Sequence, residues 1–229
     1  ALERNPVTSN YSGILFDLDG TLVDTIGLIL ESYRHTMSQH LGSVPEDAEW
    51  LATLGQPLRI QLREFAKSPE QLESMFQTYL EHNQANHERL ARSFPGMVEA
   101  IAALDRAGYA LAVVTSKIRA NTDRELASVG LSEFFKVTVT ADDVAKPKPD
   151  PEPVRVAAER LGLVASEVLM VGDSVFDLRA GRAAGADTAA ALWGPFDSHQ
   201  LAPEKPDYWL HRIDSLLQLL GVELGANDG

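Results

Sequence analysis

Two aspartates separated by one residue, Asp17 and Asp19, close the short apolar run Gly13-Ile14-Leu15-Phe16. Past the end of a strand such a pair can converge on one small volume, where one carboxylate attacks phosphorus and the other handles protons. A carboxylate approaching a phosphoryl group must have its repulsion neutralised, and a hard divalent cation held by carboxylates does this. Asp173 follows another apolar run, Val168 to Gly172, and is well placed to share such a cation with Asp17. Two further clusters carry hydroxyl and ammonium groups: Thr115-Ser116-Lys117, and Lys146-Pro147-Lys148-Pro149-Asp150, whose prolines hold the loop extended.

These residues need a scaffold that gathers them. Gly20-Thr21 turns the chain after Asp19 toward a helix starting near Asp24-Thr25. From there to about Leu90 only helical spacing is found, including Ile26/Ile29/Leu30/Tyr33 and Leu72/Met75/Phe76/Tyr79/Leu80, with Pro57 and Ser68-Pro69 supplying helix starts. After Phe94-Pro95-Gly96, strands alternate with helices: strands at 109–115, 137–140, 167–172 and 187–192, helices at 97–106, 119–129, 151–161 and 176–184, then a last short strand and helix. This rhythm predicts an α/β fold with a doubly wound parallel sheet, whose ligands bind beyond the carboxyl ends of the strands. The expected division is a core of residues 1–25 and 93–229 and an inserted helical cap of residues 26–92. A hinge is expected near Asp24 to Ile26 and near Ser93 to Gly96.

Composition narrows the functions available. With 45% apolar and 23% charged residues, the 229-residue chain has the balance of a soluble globular protein. Its 20 Lys plus Arg against 33 Asp plus Glu give a net charge of −13, which repels a polyphosphate backbone and argues against nucleic-acid binding. The absence of cysteine excludes disulfides, thiolate metal sites and a thiol nucleophile. The longest apolar run, Tyr109 to Val114, is far below the roughly 20 residues that cross a bilayer, and Leu2-Glu3-Arg4-Asn5-Pro6 resembles no secretory signal; a cytoplasmic protein without membrane attachment is expected. Nothing in the sequence specifies an oligomeric state.

Asp17-Leu18-Asp19-Gly20-Thr21-Leu22-Val23-Asp24, Thr115-Ser116-Lys117, Lys146 with its prolines, and Gly172-Asp173-Ser174-Val175-Phe176-Asp177 together resemble, in order, the four motifs of the haloacid dehalogenase superfamily. The resemblance implies Mg²⁺, with Asp17 as a nucleophile that forms an aspartyl-phosphate. The Asp17 and Asp173 side chains and the Asp19 backbone carbonyl would be the metal ligands. It also implies that Asp19 protonates the leaving oxygen and then activates water. Thr115 or Ser116, Lys146, and backbone amides near Asp19 and Lys117 would hold the other phosphoryl oxygens. Asp177 would orient Lys146 or metal-bound water, with Gly20 and Thr21 in support. Lys148 competes with Lys146 as the phosphate lysine; the pattern favours Lys146, directly before the first proline. Asp24 fits a helix cap as well as site support.

The helical insertion resembles that superfamily's small cap, and a cap loop such as Leu54-Gly55-Gln56-Pro57-Leu58-Arg59 would face the site, with Arg59 a specificity candidate beside its plainer reading as an exposed helix arginine. The pattern is closest to the phosphoglycolate phosphatase-like branch. Glu31-Ser32-Tyr33-Arg34-His35-Thr36 and Lys148-Pro149-Asp150-Pro151-Glu152-Pro153 also resemble bacterial pyrophosphatases of that branch. The expected substrate is a small phosphomonoester. Inorganic pyrophosphatase, phosphomutase and a phosphate-sensing module without turnover are the alternatives; Gly20-Thr21 is the phosphatase-like form, and Asp19 argues against dehalogenation. His82 and His87 read as solvated positions on an exposed cap helix, Asp142-Asp143 as a turn, and Trp50, Trp193 and Trp209 as core or interface residues.

Overall fold

The computed structural model describes residues 11–224. In chain order these form β1 (Gly13–Phe16), β2 (Val23–Asp24), α1 (Ile26–Leu41), α2 (Asp47–Leu51), α3 (Leu58–Arg63), α4 (Pro69–Leu90), β3 (Arg92–Ser93), α5 (Met97–Arg106), β4 (Ala110–Val114) and α6 (Arg119–Ser128). There follow β5 (Val137–Val139), α7 (Glu152–Arg160), β6 (Val168–Gly172), α8 (Val175–Ala184), β7 (Asp187–Ala191), α9 (Ser198–Leu201), β8 (Tyr208–Leu210) and α10 (Ile213–Leu220). The main sheet runs β5-β4-β1-β6-β7-β8, every neighbour parallel. It is the doubly wound α/β arrangement that the alternation of strand and helix patterns predicts.

The central strands are apolar on both faces because helices cover both. Ile14, Phe16, Leu111, Val113, Leu169 and Val171 pack on one side with α5 and α10. Their alternates Leu15, Ala112, Val114, Val168 and Met170 pack on the other with α7 and α8. A strand buried on both faces shows no alternation of polar and apolar residues, which is why these segments read as continuous apolar runs. β1 sits between β4 and β6, so the residues just beyond these three strands share one edge of the sheet.

The helices α1 to α4 lie between β2 and β3 and carry a separate apolar cluster in which Tyr33, Trp50, Leu62 and Met75 are fully buried. Tyr33 and Trp50 stack with ring centroids 4.4 Å apart. Two of the helix starts follow the expected punctuation: Pro57 precedes α3, and Ser68 accepts from the Gln71 amide before Pro69 opens α4. The chain enters and leaves this insertion through the antiparallel pair β2 and β3, a two-residue ribbon too short to leave a periodic trace in the sequence. Asp24 is exposed on it, and Thr25, not Asp24, stands at the N-cap of α1.

Truncating the largest member of this cluster tests whether the helical insertion has its own core. Trp50→Ala should cost about 3–5 kcal/mol, the range for a large buried aromatic, measured by denaturant unfolding followed by tyrosine and tryptophan fluorescence. A loss below about 1 kcal/mol would show that the insertion does not depend on this packing.

Candidate active site

Asp17 extends β1, its amide donating to the Val171 carbonyl at 2.9 Å, and the Thr115 amide extends β4 onto the Val139 carbonyl at 2.9 Å. Asp173 follows β6 directly. Three acidic side chains meet here: ligand oxygens of Asp17, Asp173 and Asp177 lie within 4.8 Å of one another, and all three residues are buried. Two close approaches need glycine. A Cβ on Gly20, which sits at φ +78°, would come within 2.7 Å of Asp173 Oδ2, and one on Gly194 within 2.5 Å of Asp173 Cβ.

One ammonium is set among these carboxylates. Lys148 is 2% exposed, and its Nζ donates to Asp17 Oδ1 at 2.8 Å, Asp177 Oδ1 at 2.6 Å and the Val114 carbonyl at 3.1 Å. Sequence favoured Lys146 for this position. The Lys146 side chain is instead exposed, while its amide and that of Ala145 donate to Glu152 at the start of α7, which directs the loop so that Lys148 enters the sheet edge. Asp177 also completes the capping box of α8, whose N-cap is Ser174: its Oδ2 accepts from the Ser174 amide at 3.0 Å and the Ser174 hydroxyl at 2.6 Å. Its oxygens are thus both engaged. Asp17 and Asp173 each keep Oδ2 for another partner, because Lys148 takes Asp17 Oδ1 and Thr21 Oγ1 donates to Asp173 Oδ1 at 2.7 Å. Trp193, donating to the Thr21 carbonyl at 2.9 Å, steadies that turn.

Three buried carboxylates against one ammonium leave uncompensated negative charge. Burial and the Asp177 charge raise the Asp17 carboxyl to about 7 despite the pull of Lys148, and burial with the Asp17 charge raises Asp173 well above the carboxylate range. A divalent cation at Asp17 and Asp173 would reverse both shifts. The donor set is oxygen throughout, as Mg²⁺ requires, and the group fits such an ion.

Asp19 points to a second cluster. Its Oδ1 accepts from Thr25 Oγ1 and, at 2.6 Å, from Lys117 Nζ, leaving Oδ2 free. Lys117 donates in turn to Glu125, which is 1% exposed. Burial works against the Lys117 ammonium, but the Asp19 and Glu125 carboxylates outweigh it and hold its pKa above the ordinary lysine value. Sequence reasoning missed Glu125; it stands on α6 among polar neighbours, where only the tertiary fold turns it inward. His87 on α4 is also buried, 3% exposed with Nε2 3.9 Å from Glu125 Oε1, so its reading as a solvated residue is corrected: this face of α4 packs against the core. His82 is half-buried and contacts Ser32 Oγ at 3.1 Å.

The remaining candidates divide. Thr115 Oγ1 accepts from the Lys117 amide at 3.2 Å, and Ser116 Oγ donates to the Gly55 carbonyl at 2.6 Å, joining the β4 end to the helical insertion. Gly55, at φ +104°, lies so close to Ser174 that a Cβ would come within 2.7 Å of its hydroxyl. A cavity of about 330 Å³ runs between the strand ends and the insertion, lined by Asp17, Asp19, Asp173, Ser116, Lys117 and, among others, Arg59. Arg59 lies on its wall but is held by Glu73, with its guanidinium carbon 3.7 Å from the centre of the Phe76 ring. Asp143 is no simple solvated turn: it accepts from the Thr140 amide and from Arg119 and Arg160.

Burial dominates the lifting of the Glu125 carboxyl to about 7, so the folded protein keeps this proton where the unfolded chain has lost it, and the stability fully present below the ordinary carboxylate range is lost as pH rises through 7. Glu125→Gln, neutral at every pH, should therefore gain stability relative to the parent between pH 5 and 8 in metal-free urea melts. A difference between the two proteins that does not change over that interval would contradict the assignment.

The model of the haloacid dehalogenase-like hydrolase family matches residues 14–191. Pyrophosphatase PpaX of Bacillus velezensis is 39% identical over 212 residues, 93% of this chain and 97% of that protein. Pyrophosphatase PpaX of Anoxybacillus flavithermus is 38% identical over 213 residues, 93% of this chain and 98% of that protein. Among solved structures, a predicted phosphoglycolate phosphatase from Haemophilus somnus superposes with a TM-score of 0.84 at 23% identity, covering 92% of this chain and 98% of its own. A hydrolase from Pseudomonas syringae superposes with a TM-score of 0.83 at 24% identity, covering 92% and 98%. At that identity the likeness speaks for the fold alone. The family match over most of the chain, and relatives this similar along nearly all of it, establish that the chain belongs to the haloacid dehalogenase-like hydrolases.

Proposed function

We propose that this hydrolase is a Mg²⁺-dependent phosphatase that cleaves a small phosphomonoester through an aspartyl-phosphate on Asp17. The observation that carries the reading is the Asp17 carboxylate held at Oδ1 by the buried Lys148 ammonium, beside Asp173, at the carboxyl ends of three adjacent strands. Asp17 and Asp173, with the Asp19 backbone carbonyl, would hold the ion, which when bound screens the repulsion between carboxylate and phosphoryl oxygens.

Lys148 fixes the rotation of the Asp17 carboxylate and leaves Oδ2 to attack phosphorus as the bond to the leaving oxygen breaks. Asp19, held at Oδ1 by Lys117 and Thr25, gives a proton from Oδ2 to the leaving oxygen. The same atom then takes a proton from water, which attacks the phosphorus of the acyl phosphate, frees Asp17 and releases phosphate. Thr115 and Ser116, with backbone amides near Asp19, are assigned to the phosphoryl oxygens, a task for which Ser116 Oγ must leave the Gly55 carbonyl. Residues 26–92 act as a cap that excludes water from the covalent intermediate, moving about the β2–β3 ribbon.

A second reading, hydrolysis of inorganic pyrophosphate, is favoured by the names of the relatives at 39% and 38% identity. The same residues would act on its phosphoanhydride, with phosphate as the leaving group.

Phosphate release from an aryl phosphate should stop in EDTA and return with Mg²⁺; undiminished release after exhaustive chelation would remove the metal from the account. Asp17→Asn should lower kcat by more than about a thousandfold, and turnover within tenfold of the parent would exclude covalent catalysis there. Lys148→Ala should lower kcat by at least about a hundredfold, whereas Lys146→Ala should stay within about twofold. The reverse ranking would return the phosphate-site role to Lys146.

A further inference from the structure

We infer that the leaving-group side of the cavity takes an apolar group, so that among phosphomonoesters this enzyme prefers those of apolar alcohols. The inference rests on the phosphatase reading above and concerns the part of the cavity that the reacting phosphoryl group does not fill. At about 330 Å³ the space is of the size that takes an organic ligand, roughly 300–1,000 Å³, with room well beyond a single phosphoryl group.

The insertion gives its wall Leu54, Leu58, Phe76 and Leu80, faced by Ile118 and Val144 of the core, with the neutral polar residues Gln56, Gln61 and Asn121 among them. The cations there are already paired. Of the lining residues only Arg59 and Lys117 are cationic; Arg59 is paired with Glu73 and lies over Phe76, and Lys117 bridges Asp19 and Glu125. The lining acids Asp17, Asp19, Asp142 and Asp173 outnumber them. Asn83, buried with Nδ2 unpartnered among the described residues, adds a neutral donor and no charge. A second anionic group on the substrate would have to break an existing ion pair to find a cation, at the cost of leaving a carboxylate unpaired. An alkyl or aryl group meets side chains that gain from covering it.

The test uses n-alkyl phosphates from methyl to hexyl, whose leaving alcohols have nearly the same acidity, so that chain length reports binding and not intrinsic reactivity. Glycerol phosphate serves as the polar counterpart of butyl phosphate, and pyrophosphate as the anionic one. With Mg²⁺ present, kcat/KM should rise about two- to fourfold per methylene up to butyl, the gain expected from burying each group, and butyl phosphate should exceed glycerol phosphate by about tenfold or more. Leu80→Gln on the insertion and Val144→Thr on the core side should each flatten that dependence. A parent enzyme that turns over the esters without any dependence on chain length would overturn the inference and leave the phosphatase reading standing, whereas pyrophosphate turnover far above every ester would overturn both in favour of the pyrophosphatase reading. No turnover of any of these compounds would overturn both.

Discussion

A lysine side chain taken out of water among carboxylates governs how the catalytic end of this sheet is assembled. The Lys148 ammonium has three acceptors, Asp17, Asp177 and the Val114 carbonyl, so its donor capacity is filled and none of its hydrogens points at random. Each acceptor belongs to a different element: the end of β1, the first turn of α8 and the last residue of β4. A single cation thereby fixes the relative position of three parts of the fold. Removing one partner of such a buried pair leaves a charge without compensation, a loss of about 3–5 kcal/mol, so the arrangement is a constraint on the whole site and not only on Asp17.

Charge balance accounts for the rest of the site. One ammonium cannot neutralise Asp17, Asp173 and Asp177 together, and the upward shifts of the Asp17 and Asp173 carboxyls express that excess. A divalent cation held by Asp17 and Asp173 would offset it. A second ammonium, Lys117, balances Asp19 against Glu125 beyond the strand ends. The two lysines therefore keep the two aspartates that follow the first strand in different surroundings: Asp17 deep beside Asp173 and Asp177, Asp19 partly open to the cavity. Carboxylates one residue apart can serve as nucleophile and as proton carrier only if their surroundings differ in this way.

Much of this was legible in the sequence. The apolar runs at β1, β4 and β6 and the polar residues just after them carry the sheet and its reactive edge, because both follow from local spacing. The β2–β3 ribbon was not legible, since two residues per strand leave no period. The choice between Lys146 and Lys148 depends on how Glu152 anchors the preceding amides, which is a tertiary contact. Glu125 and His87 were missed because burial of a polar residue on an otherwise polar helix leaves no pattern; only the packing of α4 near α6 encloses them.

The central claim is that Asp17 becomes covalently phosphorylated, and chemical trapping tests it most directly. The enzyme is mixed with Mg²⁺ and an excess of a fast aryl phosphate, quenched during steady turnover, reduced with borohydride, and digested for mass spectrometry. Reduction converts an acylated aspartate to homoserine and leaves free carboxylates unchanged. The account predicts homoserine at position 17, dependent on both substrate and Mg²⁺ and absent elsewhere. Homoserine at position 19 or 173 in place of 17, or full turnover with no reduced residue under conditions that trap a known acyl phosphate, would contradict it.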